Sequence, residues 1–353
     1  LFGNTEYGWR FSAAVIGSLS VTVMFFTARK LFNSTFLSIA ASFLILVDGL
    51  HLVHSRVALL DIFLMFLVQL ALLAILYHRY WLAGIALGLA CGVKWSGLYF
   101  LVGFALLVFT MDWLHYRNLG YEKPIREFLR KDLIKRKLQF GIIPLVTYIS
   151  TWSGWFLSKN GWDRHWSKNI LKSFWHYHAE ILNFHAGLTE KHPYMANPWS
   201  WIIMGRPTSF YYETPKTCGA SSCSREVIAL GTPLIYWSIA IALLVVIGIW
   251  IQSRDLTAGI LLTAVGAGYL PWFLFQKRTM FTFYSIVFEP FMILLITYCI
   301  SIFLEKKERW RIYSVWVFFA LILWNFYYFS PLYFGNVTTY SSWFHHMWLP
   351  SWI

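Results

Sequence analysis

Hydrophobic residues occupy most of this chain in runs of membrane-spanning length, and short polar segments separate the runs. A run of about 20 apolar residues crosses a hydrocarbon core about 30 Å thick. Ten apolar runs predict transmembrane helices, at about 8–28, 35–53, 57–77, 80–93, 97–111, 138–157, 234–252, 257–275, 281–303 and 313–330, and the fourth and fifth of them are short. We therefore predict an all-α polytopic membrane protein. Its N-terminal membrane helices (1–157) and C-terminal membrane helices (234–353) flank one large polar loop (158–233).

Composition agrees with the pattern, since 58% of the 353 residues are hydrophobic and only 13% are charged. The basic residues then predict the orientation, because cytoplasmic loops are enriched in Lys and Arg. Compact connections on one face contain sixteen of the twenty-nine Lys and Arg residues, eight of them between Arg117 and Lys137. We place that face in the cytoplasm and the 158–233 loop outside. The net charge of +13 then indicates an anionic lipid partner rather than nucleic acid.

Cations also occur in the short outward connections, where few are expected. They are Arg56, Lys94, Lys277 and Arg278, and Arg10 opens the first span. Each could be a cation snorkelling to the headgroups, but together they predict a binding site for an anionic headgroup. Three acidic residues also lie towards the outward ends of predicted spans, namely Asp48, Asp61 and Glu289. Asp61 is either functional or the partner of Arg56 in a structural ion pair.

The outer loop contains one amphipathic pattern and one pair of cysteines. Apolar residues recur at helical spacing, at Trp166, Ile170, Phe174, Tyr177 and Ile181. This spacing predicts a helix lying on the outer leaflet. Cys218 and Cys223 are expected to form a local disulfide outside the cytoplasm, with a two-cysteine metal site as the alternative. Cys91 and Cys299 lie in spans and are predicted to be inert.

Several classes of chemistry lack their sequence signatures. The chain has no GxGxxG, Walker A or GxSxG element in a strand–helix setting, which argues against nucleotide-driven chemistry. Its eleven His residues show no metal-binding spacing, so no metal and no cofactor is expected. No inverted repeat of the transporter type is visible.

Five ordered blocks of the sequence form a distinctive set. They start at Tyr7 (YGWRFSAAVIG), His54 (HSRVALLD), Gly88 (GLACGVKWSG), His192 (HPYMANPWSW, then GRP from Gly205) and Cys218 (CGASSCSREVIALGTP). Together they resemble the protein O-mannosyltransferases of glycosyltransferase family 39, and the last block resembles their actinobacterial-type branch. The resemblance implies a GT-C membrane glycosyltransferase. It would transfer mannose from a polyprenyl-phosphate carrier to Ser or Thr of secreted proteins that emerge from the translocon. Attack of the hydroxyl on the face opposite the phosphate would invert the sugar carbon.

The family's first span, its acidic Asp-Glu loop and its His-Pro-Pro segment would precede Leu1. We therefore expect no catalytic residue within this chain, a base upstream of Leu1, and no transfer by this chain alone. The nearest surrogate acids are Glu6, Asp48 and Asp61. Arg10 is the first candidate for phosphate contact, with Lys94 and Arg278 supporting it. His192, Tyr194, Trp199 and Trp201 would shape the sugar or acceptor pocket, although the two Trp residues could simply pack.

The residues expected to bind substrate are Arg10, Arg56, Asp61, Lys94, His192, Tyr194, Arg206, Lys277 and Arg278. Three alternative functions stay open at this point. One is another GT-C enzyme that moves a different lipid-linked sugar, the second is a membrane transporter, and the third is a non-catalytic membrane subunit. The crowding of ionisable groups on one face argues against a transporter.

Overall fold

Polar caps explain where several helices begin, because a side-chain oxygen there accepts a hydrogen bond from a free backbone N–H. Thr5, Ser34 and Asp255 each cap a helix in this way. The computed structural model describes residues 3–353. Its first ten helices are α1 (Glu6–Phe32), α2 (Thr35–Leu46), α3 (Gly49–His54), α4 (Asp61–Leu76), α5 (Tyr80–Val93), α6 (Gly97–Asn118), α7 (Pro124–Lys131), α8 (Leu133–Lys137), α9 (Ile143–Thr151) and α10 (Ser153–Leu157). A π-helical turn, Leu138–Ile142, joins α8 to α9.

The second half contains further helices and a small sheet. The helices are α11 (Ile170–Gly187), α12 (Pro233–Ser253), α13 (Leu256–Tyr269), α14 (Glu289–Phe303), α15 (Arg309–Phe334) and α16 (Tyr340–His345). Short 3₁₀ segments cover Pro198–Ser200, Leu270–Phe275, Thr282–Val287 and Pro350–Trp352. The strands are β1 (Thr208–Glu213), β2 (Cys223–Ala229) and β3 (Thr338–Thr339).

Within the described residues, five helices are long and apolar enough to cross a membrane: Glu6–Phe32, Gly97–Asn118, Pro233–Ser253, Leu256–Phe275 and Arg309–Phe334. The shorter apolar helices α2, α4, α5 and α14 lie among them. The protein is therefore mostly helical and multi-pass. The count of ten spans and the three-part division of the chain stay predictions.

Some predicted spans are interrupted, and each interruption has a local cause. The span predicted at 35–53 breaks after Leu46, because the Asp48 side chain caps a new helix through the N–H groups of Leu50 and His51. The span at 281–303 begins as a 3₁₀ segment and becomes α-helical only at Glu289, where Pro290 occupies a first-turn position that needs no N–H donor.

The core of the protein centres on α14, in which eleven of fifteen residues are buried. It packs against α12, α13 and α2. Small residues allow α5 to pack closely on the π-helical turn and on α9, because a Cβ at Gly84 would overlap the Gln139 carbonyl and one at Gly88 the Pro144 carbonyl. This is the small-residue contact typical of membrane helices.

The prediction of an all-α fold misses a three-stranded antiparallel sheet. β1 pairs with β2, from Thr208 opposite Ala229 to Glu213 opposite Arg225, and β2 pairs with β3. The sheet thereby joins the segment after His192 to residues near the end of the chain. Cys218 and Cys223 form a disulfide in the β1–β2 connection, with their Cα atoms 5.9 Å apart.

The predicted amphipathic helix forms, but one detail of its prediction is wrong. It begins at Ile170, after the Asn169 cap, so Trp166 lies outside it and stacks on His176 with ring centroids 4.0 Å apart. Two residues of its apolar stripe, Phe174 and Tyr177, have ring centroids 5.3 and 5.1 Å from that of Trp152. Its position on the outer leaflet stays a prediction.

Candidate active site

Two guanidinium groups line one pocket at the N-terminal end of α1. Arg10 and Arg56 face a cavity of about 360 Å³, together with Glu6, Tyr7, Phe11, Ala14 and Ser55. Helix α1 packs closely on the segment that contains Ser55, because a Cβ at Gly17 would overlap the Ser55 side chain. This packing brings the two arginines together. Arg10 lies two turns before Gly17 on α1, and Arg56 follows Ser55 directly. Residues 46 positions apart in the sequence thus come together.

Arg56 is held firmly on its side of this pocket. Its Nη1 donates to the Tyr333 carbonyl oxygen at 3.0 Å, and its guanidinium lies 5.2 Å from the Phe334 ring centroid. Burial, reinforced by the positive charge of Arg10, lowers the pKa of Arg56. Two like charges so placed favour an anionic ligand, and guanidinium groups suit phosphate oxygens through paired hydrogen bonds.

A second group of charges surrounds Lys94, and it corrects the pairing proposed for Asp61. The Lys94 Nζ lies 2.9 Å from Asp61 Oδ1, whereas Arg56 donates to a main-chain carbonyl. The alternative pairing of Asp61 with Arg56 is therefore wrong. Lys94 also lies 4.3 Å from the centroid of the Tyr284 ring. Lys94 is the C-cap of α5 and Asp61 begins α4, so the packing of these two helices brings the pair together.

Arg278 and His185 belong to this second group. The Arg278 Nη2 lies 3.2 Å from His185 Nδ1, and its guanidinium lies 5.8 Å from the centroid of the Trp272 ring. Burial lowers the pKa of His185, and the charges of Arg278 and Lys94 lower it further. The neutral imidazole can then accept a hydrogen bond from Arg278. Lys277 is exposed beside Arg278.

His185 is a site residue that the sequence analysis missed. The only available signal was its position in the last turn of α11, and nothing in the sequence linked that turn to Arg278, 93 residues later. The pairing depends on how α11 packs.

The segment that begins at His192 lies over the residues just after Arg278. The Ala196 N–H donates to the Met280 carbonyl at 2.8 Å, and the Thr279 N–H donates to the Leu188 carbonyl at 3.0 Å. Within the segment, His192 Nδ1 accepts from the Tyr194 N–H at 3.2 Å. These contacts bring His192 and Tyr194 towards the Arg278 group.

Arg206 and the two Trp residues occupy different environments in this segment. Arg206 directs its donors to main-chain carbonyls, those of Pro193, Ser351 and Ile353, and its guanidinium lies 5.1 Å from the Tyr194 ring centroid. Trp201 is fully buried and donates to the Ala196 carbonyl at 3.0 Å, whereas Trp199 is 63% exposed. We therefore interpret Trp201 as a packing residue, whereas the Trp199 side chain is accessible to a ligand.

Asp48 and Glu289 form a buried acidic pair away from the cations. Both are fully buried. The Asp48 carboxylate accepts hydrogen bonds from the backbone N–H groups of Leu50 and His51 at 2.8 and 3.2 Å, and from that of Thr232 at 2.9 Å. Asp48 thus fastens the start of α12 to α3, a structural role that leaves it poorly placed to be a base.

The fold and the site together define a multi-pass membrane protein with clustered cationic side chains, an arrangement that suits a glycosyltransferase with a lipid-phosphate donor. A family model described as "Dolichyl-phosphate-mannose-protein mannosyltransferase" matches residues 1–157. Another, "C-terminal four TMM region of protein-O-mannosyltransferase", matches residues 170–352. The chain belongs to the protein O-mannosyltransferase family, and the predicted resemblance and the class of enzyme, a glycosyltransferase, are confirmed.

Relatives and a solved structure agree with this assignment. The polyprenol-phosphate-mannose–protein mannosyltransferase of Mycolicibacterium smegmatis is 32% identical over 410 residues, which cover 100% of this chain and 79% of that protein. The corresponding protein of Mycobacterium tuberculosis is 30% identical, with 100% and 78% covered. The S. cerevisiae protein O-mannosyltransferase Pmt1-Pmt2 complex bound to the sugar donor has the same fold. The TM-score is 0.83 at 15% identity, over 98% of this chain and 80% of that one.

Proposed function

We propose that this protein transfers mannose from polyprenyl-phosphate mannose to Ser or Thr hydroxyls of secreted proteins, with inversion at the sugar carbon. The family and the names of the relatives support the donor and the type of acceptor. The observation that carries the proposal is the pocket shared by Arg10 and Arg56, which suits a phosphate. No cofactor or metal ion is part of this proposal.

In this reaction the pocket mainly provides positive charge. The leaving group is a lipid phosphate, which departs without a strong general acid, so the protein must mainly stabilise the charge developing on its oxygens. We assign that role to Arg10 and Arg56. Arg278, oriented by His185, and Lys94 provide further positive charge, although Asp61 neutralises part of the charge on Lys94.

A carboxylate is needed to deprotonate the acceptor hydroxyl on the face opposite the phosphate. Asp48 and Asp61 do not suit this role, since Asp48 caps a buried helix and Asp61 is paired with Lys94. His192, Tyr194 and the exposed Trp199 are placed to contact the sugar or the acceptor. Arg206 would shape this surface indirectly, because it holds Pro193 against residues near the end of the chain.

We also place the site on the extracytoplasmic face. The sixteen basic residues in the opposite connections support this orientation. Reporter fusions after Gly187 and after Lys131 should give opposite signals, with the Gly187 fusion extracytoplasmic. A cytoplasmic signal from the Gly187 fusion would contradict the orientation.

Replacement of Arg10 tests the proposed function. In the full-length protein, Arg10→Ala should lower mannosyl transfer to a Ser/Thr-rich peptide by about 10²–10³-fold, as expected for the loss of one preorganised charge stabiliser. Arg10→Lys should restore only part of the rate, because a lysine cannot form the paired hydrogen bonds of a guanidinium.

Arg309→Ala is the matched control, since Arg309 is an exposed arginine at the start of α15. It should retain the wild-type rate. The same membrane preparations should be assayed with polyprenyl-phosphate mannose and with a nucleotide-linked mannose. A folded Arg10→Ala protein with wild-type transfer would refute the assignment of Arg10, and transfer only from the nucleotide sugar would refute the proposed donor.

A further inference from the structure

A second cavity lies far from the cations of the proposed site, between α6, α7, α8 and the π-helical turn. Its volume is about 480 Å³, within the range of about 300–1,000 Å³ typical of small-molecule sites. We name it the α6–α8 crevice, and the lining residues used below are Ala105, Phe109, Phe128, Leu133, Lys137 and Phe140. The lining is almost entirely apolar apart from two basic residues, Arg136 and Lys137.

Specific contacts hold the walls of this crevice in place. The Phe109 and Phe128 rings meet edge to face with centroids 5.0 Å apart, which fixes α7 on α6. Arg136 forms two hydrogen bonds to Asp112, at 2.7 and 2.8 Å, and a third to Gln139 at 2.8 Å. Phe140 belongs to the π-helical turn, a type of irregularity that often marks functional positions in helices.

The positive charge at this crevice is not neutralised locally. Asp112 neutralises the charge of Arg136. Within the described residues 3–353, no carboxylate lies within ion-pair distance of Lys137. The segment 117–137 contains eight basic and three acidic residues, an excess of five positive charges. An anion is therefore the complementary partner of this surface.

The surface around the crevice is also apolar. Ile125, Leu129 and Ile134 are exposed, and Ile134 reaches 76%. Exposed apolar side chains interleaved with cations are typical of a segment lying in the membrane interface. A second copy of the chain would bring an equally basic segment against this one, so charge disfavours that occupant.

We propose that the α6–α8 crevice is a binding site for an anionic phospholipid, with an acyl chain lying against the rings of Phe109, Phe128 and Phe140 and the headgroup phosphate on Lys137. Basic pockets between membrane helices are known to hold such headgroups. This site is separate from the proposed donor site, and the inference does not depend on the proposed function.

The test uses the full-length protein in phosphatidylcholine nanodiscs with a photoreactive acyl-chain analogue of phosphatidylglycerol as the probe. Cross-linked peptides should map to the crevice walls. Unlabelled phosphatidylglycerol should compete for this labelling, whereas phosphatidylcholine with the same acyl chains should not. Lys137→Gln should weaken binding of the probe about fivefold, the typical effect of one basic residue near an anionic lipid.

Two further variants complete the test. Lys123→Gln, at an exposed lysine of the same basic segment outside the crevice lining, should retain wild-type binding. Ala105→Phe should block labelling by filling the crevice, and thermal unfolding will show whether that variant folds. Equal competition by the two lipids would overturn the proposal, as would cross-links elsewhere on the protein or equal effects of Lys137→Gln and Lys123→Gln.

Discussion

Removing Lys94 should expose how strongly the fold depends on its ion pair with Asp61. The Lys94 Nζ lies 2.9 Å from Asp61 Oδ1, and the exposed fractions of the two side chains are 28% and 6%. In Lys94→Met the Asp61 carboxylate would stay buried without a counter-charge. Breaking a fully buried pair in this way costs about 3–5 kcal/mol.

The partial exposure of Lys94 places the expected loss at or below the lower end of that range. Water reaches the ammonium group and already screens part of its attraction, so we expect Lys94→Met to lower the free energy of unfolding by about 2–3 kcal/mol. Asp61→Asn should cost less, because Lys94 can turn towards water while the amide keeps a hydrogen-bonding oxygen. In the double variant the two losses should not add, and the coupling energy should be about 1–2 kcal/mol.

Equilibrium unfolding of the four proteins in mixed detergent micelles measures this coupling. The pair Arg130–Glu127 provides a control, because the Arg130 side chain is 68% exposed and should couple much more weakly to Glu127. If the losses from Lys94→Met and Asp61→Asn simply add, the pair does not act as a unit in the fold. Lys94 would then be free to serve as a phosphate ligand, and our account of its charge would be wrong.

Two further predictions concern the outer segment. Glu226 is buried on β2 and accepts a hydrogen bond from Trp343 Nε1 at 2.6 Å, and burial raises the pKa of this carboxyl. The folded protein therefore keeps the proton to a higher pH than the unfolded chain, so stability should fall as pH rises from the ordinary carboxyl pKa through the raised one. Glu226→Gln should reduce this fall in stability, measured by thermal unfolding between about pH 4 and 7, the range above the ordinary carboxyl pKa. If the variant loses stability with pH as steeply as the wild type, another group causes the pH dependence. For the disulfide, thiol labelling of the denatured, unreduced protein should modify only Cys91 and Cys299, and reduction should add Cys218 and Cys223. Labelling of all four cysteines before reduction would contradict the bond.

Local rules predict much of the helical framework. Apolar runs and polar caps such as Ser34 and Asp255 depend only on neighbouring residues, and the long apolar helices of the structure lie within or near the predicted segments. The short helices α7, α8 and α16 were not predicted. The same rules could not show that the Asp48 carboxylate, besides capping α3, also accepts a hydrogen bond from the Thr232 N–H, 184 residues away. The third strand was missed for a related reason. It consists of residues 338–339, and its partner β2 lies far from it in the sequence.

The sequence by itself therefore determined the class of this protein, most of its helical segments and the set of cations from which the candidate site is built. Hydrophobic length, charge bias and short ordered motifs are properties of neighbouring residues, so they can be seen without a fold. Only the tertiary structure decided which of those charges act together. It pairs Lys94 with Asp61 and Arg278 with His185, and it places Arg10 beside Arg56. Charge pairing depends on distances of a few ångströms between residues that are far apart in the chain, and helix packing alone sets those distances.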